Sequence, residues 1–313
     1  MNIKKKTPPS RTTAPKDTTH IIPPKKTSSA KNVLQKKKPT KEPIHIREYH
    51  EYEFHLPINR LDIYGAQILG DRDTQQDSFC VSNPTDIFSE ETPTGWAVVC
   101  DGMGGMSSGE VASQTANAVM QQILGSTVLT SNIPEILRQA VFLANEEVKK
   151  ITQGTTDVSG TTLVSVVANG NQLFYASVGD SRIYLCRGNE IAQVTRDHNY
   201  AMELDEKVAA GEMTQEEALV QSQREALISY VGISELELCD IAQQPILMQN
   251  EDIVLLCSDG LTKVLSDEEI LGLVNANRHS LQKIVEVLLQ EVQMVCMKKL
   301  DNTTIAVLKY QKA

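Results

Sequence analysis

Four aspartates stand at the ends of apolar runs, and their placement suggests a shared site. Asp101 and Asp259 follow such runs, Asp180 occupies a tight turn, and Asp301 precedes the last run of the chain. A single Asp-Gly pair is more often an ordinary reverse turn. Strand ends, however, are where a sheet can make distant residues converge. Turn-forming residues follow three of these aspartates and allow a backbone carbonyl to become a ligand, as in Asp101-Gly102-Met103-Gly104-Gly105, Asp259-Gly260 and Asp301-Asn302.

Converging carboxylates of this kind need bound cations. Two carboxylates about 4 Å apart repel by roughly 4 kcal/mol at an effective dielectric constant near 20. Oxygen ligands suit Mg²⁺ or Mn²⁺, and the chain has no H-E-x-x-H or His/Cys zinc pattern. Two such ions would activate a water for in-line displacement at phosphorus. Arg72, five residues before Asp77, offers a planar guanidinium for phosphate.

The pattern of the cysteines indicates a structural role and not a catalytic one. Six cysteines lie mostly within apolar runs and show no C-x-x-C spacing, which indicates small buried hydrophobes in a reducing compartment. A thiol phosphatase would need an arginine six positions after its cysteine. None of the six cysteines has one, so the spacing that tyrosine phosphatases require is absent from this sequence.

The strands and helices that position these aspartates can be predicted from the spacing of apolar residues. The pattern predicts strands over 61–68, 96–100, 161–168, 172–178, 182–187, 191–195, 253–257 and 304–310. It predicts helices after 109–110 and over 136–148, a polar helical stretch from about 198 to 230, and helices near 267–275 and 281–298. The joints between 161 and 195 are too short for crossover helices, so they predict an antiparallel meander. Grouped strands and grouped helices indicate an α+β layered sandwich with helices outside.

The charge distribution separates an arm from a body. Residues 1–55 carry thirteen Lys or Arg against five Asp or Glu, whereas residues 56–313 carry seventeen against thirty-five. The basic, proline-rich segment cannot bury enough apolar area to offset its ordering entropy, so we expect a disordered tail. We expect one catalytic domain over 56–313. The chain has no secretory signal pattern and no apolar run long enough to span a membrane.

Together the motifs resemble those of the type-2C, metal-dependent serine/threonine protein phosphatases, or PPM family, in their bacterial form. The resemblance covers about residues 58–310. The motifs occur in the family's order: Arg72 with Asp77, Asp101-Gly102-Met103-Gly104-Gly105 with Gly109-Glu110, Ser159-Gly160-Thr161-Thr162, Val178-Gly179-Asp180-Ser181-Arg182, Thr195-Arg196-Asp197-His198, Ser258-Asp259-Gly260 and Asp301-Asn302-Thr303-Thr304.

The resemblance implies a fold and a role for each site residue. The fold is a four-layer α-β-β-α sandwich with two central antiparallel sheets flanked by helices. The cofactors are two Mn²⁺ or Mg²⁺ ions, with a third, weaker site. The implied metal ligands are Asp101, which bridges two ions, the Gly102 carbonyl, Asp259, Asp301 and, for the third ion, Asp180. Asp77 holds metal-bound water, and Arg72 binds the phosphate. Arg72, Asp77 and Asp101 form the implied catalytic set.

The chain departs from the family pattern in three places. Gln75 replaces the usual Asn, Gln76 stands at the following Glu or Gln position and adds no charge, and Met106 replaces a common His. Residues 221–230 lack the family's His-Pro and Asn-x-Leu-Thr-Arg signals. This segment belongs to a flap near 198–232 beside the active site, so the departures bear on substrate choice and rate.

The expected partners are phosphorylated proteins and a cognate Ser/Thr kinase, whose signalling the enzyme would oppose. We expect a cytoplasmic monomer without a nucleic-acid partner, and export as an effector stays open. Two alternatives also stay open: a pseudophosphatase that only binds, and a regulatory phosphatase of the sporulation or stress-response type.

Overall fold

The computed structural model describes residues 60–82, 92–104, 108–152, 159–295 and 299–312. Its strands are β1 (Arg60–Ile68), β2 (Asp77–Val81), β3 (Thr94–Met103), β4 (Gly160–Thr161), β5 (Leu163–Asn169), β6 (Gln172–Val178), β7 (Arg182–Arg187), β8 (Glu190–Gln193), β9 (Asp240–Ile241), β10 (Ile246–Leu247), β11 (Ile253–Cys257) and β12 (Thr303–Gln311). Its helices are α1 (Ser108–Ser126), α2 (Ile133–Thr152), α3 (Tyr200–Ala209), α4 (Gln215–Leu219), α5 (Asp259–Thr262), α6 (Asp267–Ala276) and α7 (Leu281–Met294).

Two antiparallel sheets form the centre of the fold. The first has the order β1-β12-β11-β7-β8, and the second has the order β10-β6-β5-β3-β2, with β9 paired to β6 and β4 to β3. In the first sheet Leu255 of β11 lies between Val307 of β12 and Tyr184 of β7. In the second sheet Asp77, at the start of β2, lies opposite Asp101 near the end of β3.

Alternating apolar residues explain why the sheets stack. In β11, Val254 and Leu256 pack into the core between the sheets, whereas Ile253 and Leu255 pack with residues of α6 and α7. On the other side, residues of α1 and α2 cover the outer face of the second sheet. Each sheet therefore buries both faces, because side chains alternate across a strand. The four-layer α-β-β-α prediction is confirmed.

The predicted meander is wrong at one joint. Strand β7 pairs with β11 and β8, whereas β6 pairs with β5 and the short strands β9 and β10. Residues 179–181 therefore carry the chain from one sheet to the other instead of closing a hairpin. Gly179 allows this change of direction with a positive φ of 96°.

The predicted helices and tail have different outcomes. The helix predicted over 281–298 ends at Met294, and residues 296–298 lie outside the described residues. Residues 198–230 contain α3 and α4 followed by turns. The predicted tail, residues 1–55, lies outside the described residues. Within the described ranges, no helix is long and apolar enough to cross a bilayer.

Candidate metal and phosphate site

One cleft of about 300 Å³ gathers most of the site residues predicted from sequence. It lies where β3 ends, where α5 follows β11 and where β12 begins, so both sheets contribute to it. Asp77 lies beside Asp101 in the neighbouring strand but does not line the cleft. The predicted residues that line it are Arg72, Asp101, Gly102, Asp180, Asp259 and Asp301.

Asp77 is held by hydroxyls of the opposite sheet. Its side chain is buried, and Oδ2 accepts hydrogen bonds from Ser258 Oγ at 2.7 Å and Thr304 Oγ1 at 2.8 Å. The Thr304 backbone N–H donates to Ser258 Oγ at 2.9 Å, which fixes the hydroxyl. Oδ1 has no hydrogen-bond partner among the described residues. One oxygen is thus anchored while the other remains available to a ligand.

Asp101 is fixed through its backbone. Its N–H donates to Thr162 Oγ1 at 2.9 Å, and its carbonyl accepts from the Thr162 N–H at 2.8 Å and from Thr161 Oγ1 at 2.9 Å. Thr162 Oγ1 also forms a 2.7 Å hydrogen bond with Ser181 Oγ, next to Asp180. The two threonines therefore tie the end of β3 to the turn that carries Asp180.

Gly102 is required by close backbone packing. A Cβ added there would collide with the Gly109 carbonyl and would lie 2.5 Å from the Gln76 carbonyl oxygen. The Gly102 N–H donates to that Gln76 oxygen at 3.1 Å, and Gln76 Nε2 donates to the Gly104 carbonyl at 3.3 Å. The start of α1 and the loop after β1 can approach β3 only because no side chain intervenes.

Asp259 and Asp301 lie beside two cations. Arg72 Nη2 contacts Asp301 Oδ2 at 2.8 Å. Lys263 Nζ contacts Asp259 Oδ2 closely and Asp301 Oδ2 at 3.3 Å. Asp259 Oδ1 is buried and has no hydrogen-bond partner in the described part of the chain. The first sheet thus presents two carboxylates with a guanidinium and an ammonium already in contact.

Asp180 is positioned by a buried histidine. His198 Nδ1 accepts a hydrogen bond from the Gly179 N–H at 3.3 Å, so His198 Nε2 carries the proton and donates to Asp240 at 3.1 Å. A Cβ on Gly179 would come within 2.7 Å of Thr162 Cγ2. Burial lowers the pKa of His198 despite the Asp240 carboxylate. The neutral imidazole therefore supports the turn that carries Asp180.

The carboxyl groups of the site have raised pKa values because the cleft is buried and acidic. Burial raises the pKa of Asp77 to about 7, although hydrogen bonds from its hydroxyl partners oppose the shift. Burial, followed by the charges of Asp77 and Asp259, raises the pKa of Asp101 well above its usual range. Burial, followed by the charge of Asp259, raises the pKa of Asp180 to about 7. Cations in the cleft would relieve this repulsion.

The donor set fits hard divalent ions, although the side chains are not yet arranged around one. Among the described residues, no three Asp, Glu, His or Cys side chains are close enough to hold one ion as they stand. The unpartnered oxygens of Asp77 and Asp259 are buried acceptors that a cation would satisfy. Carboxylate and carbonyl oxygens are the ligands that Mg²⁺ and Mn²⁺ prefer. The residues fit such ions once Asp259 and Asp301 turn from Lys263 and Arg72.

The segment predicted as a flap contributes the rim of the cleft. Glu225 and Leu227 line the cleft from this segment. Its C-terminal end is anchored to α2 by Asn145, whose Oδ1 accepts from the Gly232 N–H at 2.7 Å and whose Nδ2 donates to the Ile233 carbonyl at 3.2 Å. Of the departures noted in the sequence, Met106 lies outside the described residues.

Sequence reasoning missed two residues of the cleft. Lys263 lies four residues after Asp259, a spacing that places both on one face of a helical turn and could have identified it. Asn302 was noted only as a turn former. Its Oδ1 accepts from the Gln76 N–H at 2.8 Å, and its Nδ2 donates to the Leu69 carbonyl at 2.8 Å. Asn302 therefore fastens the loop that carries Arg72.

Comparison with known proteins places these features in one family. The family model of protein phosphatase 2C matches residues 62–207 and 237–299. The unmatched interval, 208–236, contains α4 and the rim residues Glu225 and Leu227. The match to the family therefore lies on both sides of this interval.

Individual relatives agree with the family match. The serine/threonine phosphatase stp of Listeria welshimeri is 30% identical over 202 residues, which cover 63% of this chain and 78% of that protein. A Streptococcus agalactiae serine/threonine phosphatase shares the fold, with a TM-score of 0.69 and 24% identity over 80% of this chain and 99% of that one. The catalytic domain of the phosphatase PstP, solved with two manganese ions, aligns with a TM-score of 0.64 and 26% identity over 81% and 99%.

Proposed function

Because the chain belongs to the protein phosphatase 2C family and is a metal-dependent protein serine/threonine phosphatase, we propose that its acidic cleft hydrolyses phosphoserine and phosphothreonine with two Mn²⁺ or Mg²⁺ ions. The observation that carries this proposal is the meeting of Asp101, Asp259 and Asp301 with Arg72 in one cleft. When bound, the ions supply positive charge and an activated water for in-line displacement at phosphorus.

The proposed ligands come from both sheets. Asp101, the Gly102 carbonyl, Asp259 and Asp301 would hold the two ions. The free Oδ1 of Asp77 would accept a hydrogen bond from ion-bound water, because Oδ2 is already occupied by two hydroxyls. Asp180 would hold a third, weaker ion. The unpartnered oxygens of Asp77 and Asp259 support this assignment.

The charge of the cleft explains why an anionic substrate needs the ions. The described lining contains five carboxylates against two cations, a balance of −3, and two divalent ions would change it to +1. The carboxylates are Asp101, Asp180, Glu225, Asp259 and Asp301, and the cations are Arg72 and Lys263. The Arg72 guanidinium, which lines the cleft, would bind two oxygens of the phosphoryl group.

The proposed substrates and cellular setting follow from the same chemistry. A phosphoprotein substrate would enter under residues 198–232, whose Glu225 and Leu227 face the cleft. We further propose a cytoplasmic monomer that opposes a Ser/Thr kinase, with residues 56–313 as the catalytic domain and residues 1–55 as a basic tail. The acidic balance of residues 56–313 disfavours nucleic acid as a partner.

A metal-dependent hydrolysis assay tests the proposal. The full chain is freed of metal, and hydrolysis of a phosphothreonine peptide and of p-nitrophenyl phosphate is measured with added Mn²⁺ or Mg²⁺. We expect turnover only with the ions, and at least a hundredfold loss of turnover in Asp259→Asn because one ligand charge is removed. Asp62→Asn serves as the matched control, since Asp62 pairs with Arg60 on β1; we expect wild-type rates.

Three outcomes would contradict the proposal or part of it. Turnover that persists in excess EDTA would show that the cleft works without divalent ions. Binding of the phosphopeptide without hydrolysis at any ion concentration would favour a module that only binds. Equal rates for wild type and Asp259→Asn would remove Asp259 from the proposed ligands.

A further inference from the structure

Lys263 occupies a position from which it contacts two of the proposed ligands at once. It follows α5 directly, and its backbone N–H donates to the Asp259 carbonyl at 2.9 Å. This turn directs Nζ back to the Asp259 carboxylate, with Asp301 Oδ2 3.3 Å away. The ammonium thus offsets part of the negative charge of the two carboxylates that the first sheet contributes to the cleft.

The contact of Lys263 differs from that of Arg72. Within the described part of the chain, Arg72 pairs with Asp301 alone, whereas Lys263 pairs with both Asp259 and Asp301. A divalent ion between these two carboxylates would compete with the ammonium for space and for Asp301 Oδ2, because Asp301 Oδ1 already accepts a hydrogen bond from the Asn302 N–H.

We propose that Lys263 is an internal competitor for the ion held by Asp259 and Asp301, so that its ammonium must leave both carboxylates before that ion binds. The inference rests on the proposed two-ion function. The side chain can leave, since it is 44% exposed and, among the described residues, its ammonium pairs only with these two carboxylates. Lys263 thereby sets the affinity for the ion without serving as its ligand.

Calorimetric titration of the metal-free full chain with Mn²⁺, in the absence of substrate, tests the inference. Lys263→Met keeps the length of the side chain and removes the charge. We expect the weaker of the two Mn²⁺ affinities to increase about tenfold, because an ammonium in contact with two carboxylates no longer has to be displaced. Lys263→Arg retains the charge and should stay within about threefold of wild type.

A second measurement separates competition from a general effect on stability. In EDTA, Lys263→Met should unfold at a lower temperature than wild type, because Asp259 and Asp301 lose their counter-charge. With saturating Mn²⁺ the difference should disappear or reverse. Lys283→Met is the matched control: Lys283 is 46% exposed and pairs with Glu286 at 3.5 Å on α7, and its loss should leave Mn²⁺ affinity unchanged.

The outcomes distinguish this inference from the proposed function. If wild type and Lys263→Met bind Mn²⁺ with the same affinity, the role of Lys263 is overturned and the metal site is left intact. Weaker Mn²⁺ binding by Lys263→Met also overturns that role, since removing a competitor cannot weaken the binding of the ion. If wild type takes up no Mn²⁺, the proposed metal site is overturned and the inference about Lys263 is overturned with it.

Discussion

Gly260→Ala is the substitution that most directly tests how the cleft is assembled. A Cβ at Gly260 would collide with the Asn302 carbonyl oxygen, would lie 2.5 Å from Thr303 Oγ1 and would lie 3.0 Å from the Asn302 carbonyl carbon. The backbone cannot yield easily there, because the Asn302 side chain is hydrogen-bonded to Leu69 and Gln76. The methyl group therefore pushes apart the two segments that carry Asp259 and Asp301.

The magnitude follows from two opposing effects. Overpacking a well-filled site costs about 1–3 kcal/mol, whereas Gly→Ala within a helix gains roughly 0.5–1 kcal/mol. We expect Gly260→Ala to lose about 1–2 kcal/mol of unfolding free energy. Displaced carboxylates should also weaken Mn²⁺ binding by about 10–100-fold, the usual effect of disturbing groups that orient metal ligands.

Urea unfolding in EDTA measures the loss of stability, and calorimetry with Mn²⁺ measures the loss of affinity. Gly272→Ala on α6 is the matched control, since a Cβ there meets nothing within 4 Å. It should be as stable as wild type or slightly more stable, with unchanged Mn²⁺ affinity. The reasoning is refuted if Gly260→Ala matches wild type in both measurements, because the contact with Asn302 would then not fix the spacing.

Two further substitutions test other parts of the site. The folded-state pKa of Asp180 is about 7, above the unfolded value near 3.9, so its ionisation destabilises the metal-free fold as pH rises from about 4 to 7. In urea unfolding with EDTA, the free energy of unfolding of Asp180→Asn should exceed that of wild type by up to about 4 kcal/mol at pH 8 and by almost nothing at pH 4. A difference that does not depend on pH would contradict this. Asn145→Ala should lower the free energy of unfolding by about 2 kcal/mol, because the hydrogen bonds of Asn145 with Gly232 and Ile233 are removed. A loss below about 0.5 kcal/mol would contradict this expectation.

The positions of the aspartates at strand ends could be predicted because apolar runs indicate buried strands. Asp101 lies near the end of β3, Asp259 follows β11 and Asp301 precedes β12, and these carboxylates meet at one end of the two sheets. The joint at 179–181 shows the limit of this reasoning. Its length permits either a hairpin or a passage between sheets, and only the packing of β7 against β11 decides between them.

The side chains that hold the aspartates were harder to predict. Ser258 and Thr304 approach Asp77 from 181 and 227 residues away in the chain, and their roles depend on how the two sheets stack. The polar pattern over 198–230 predicted a helical stretch, yet only α3 and α4 form there. This stretch has no periodic apolar face, so its sequence pattern does not show where helices end and turns begin. The turns that bring Glu225 to the cleft could therefore not be predicted.

The cleft joins the two sheets, which links ion binding to sheet packing. Asp101 belongs to the second sheet, whereas Asp259 and Asp301 belong to the segments beside β11 and β12 of the first. Hydroxyls of the first sheet already reach across to Asp77. Ions shared by these carboxylates would add a second connection at the same end, and ligand that binds only the folded state stabilises it by about 2.7 kcal/mol at a hundredfold excess over Kd. Without ions, the carboxylates of the two sheets repel one another. Bound ions would relieve this repulsion and would therefore stabilise the stacking of the two sheets.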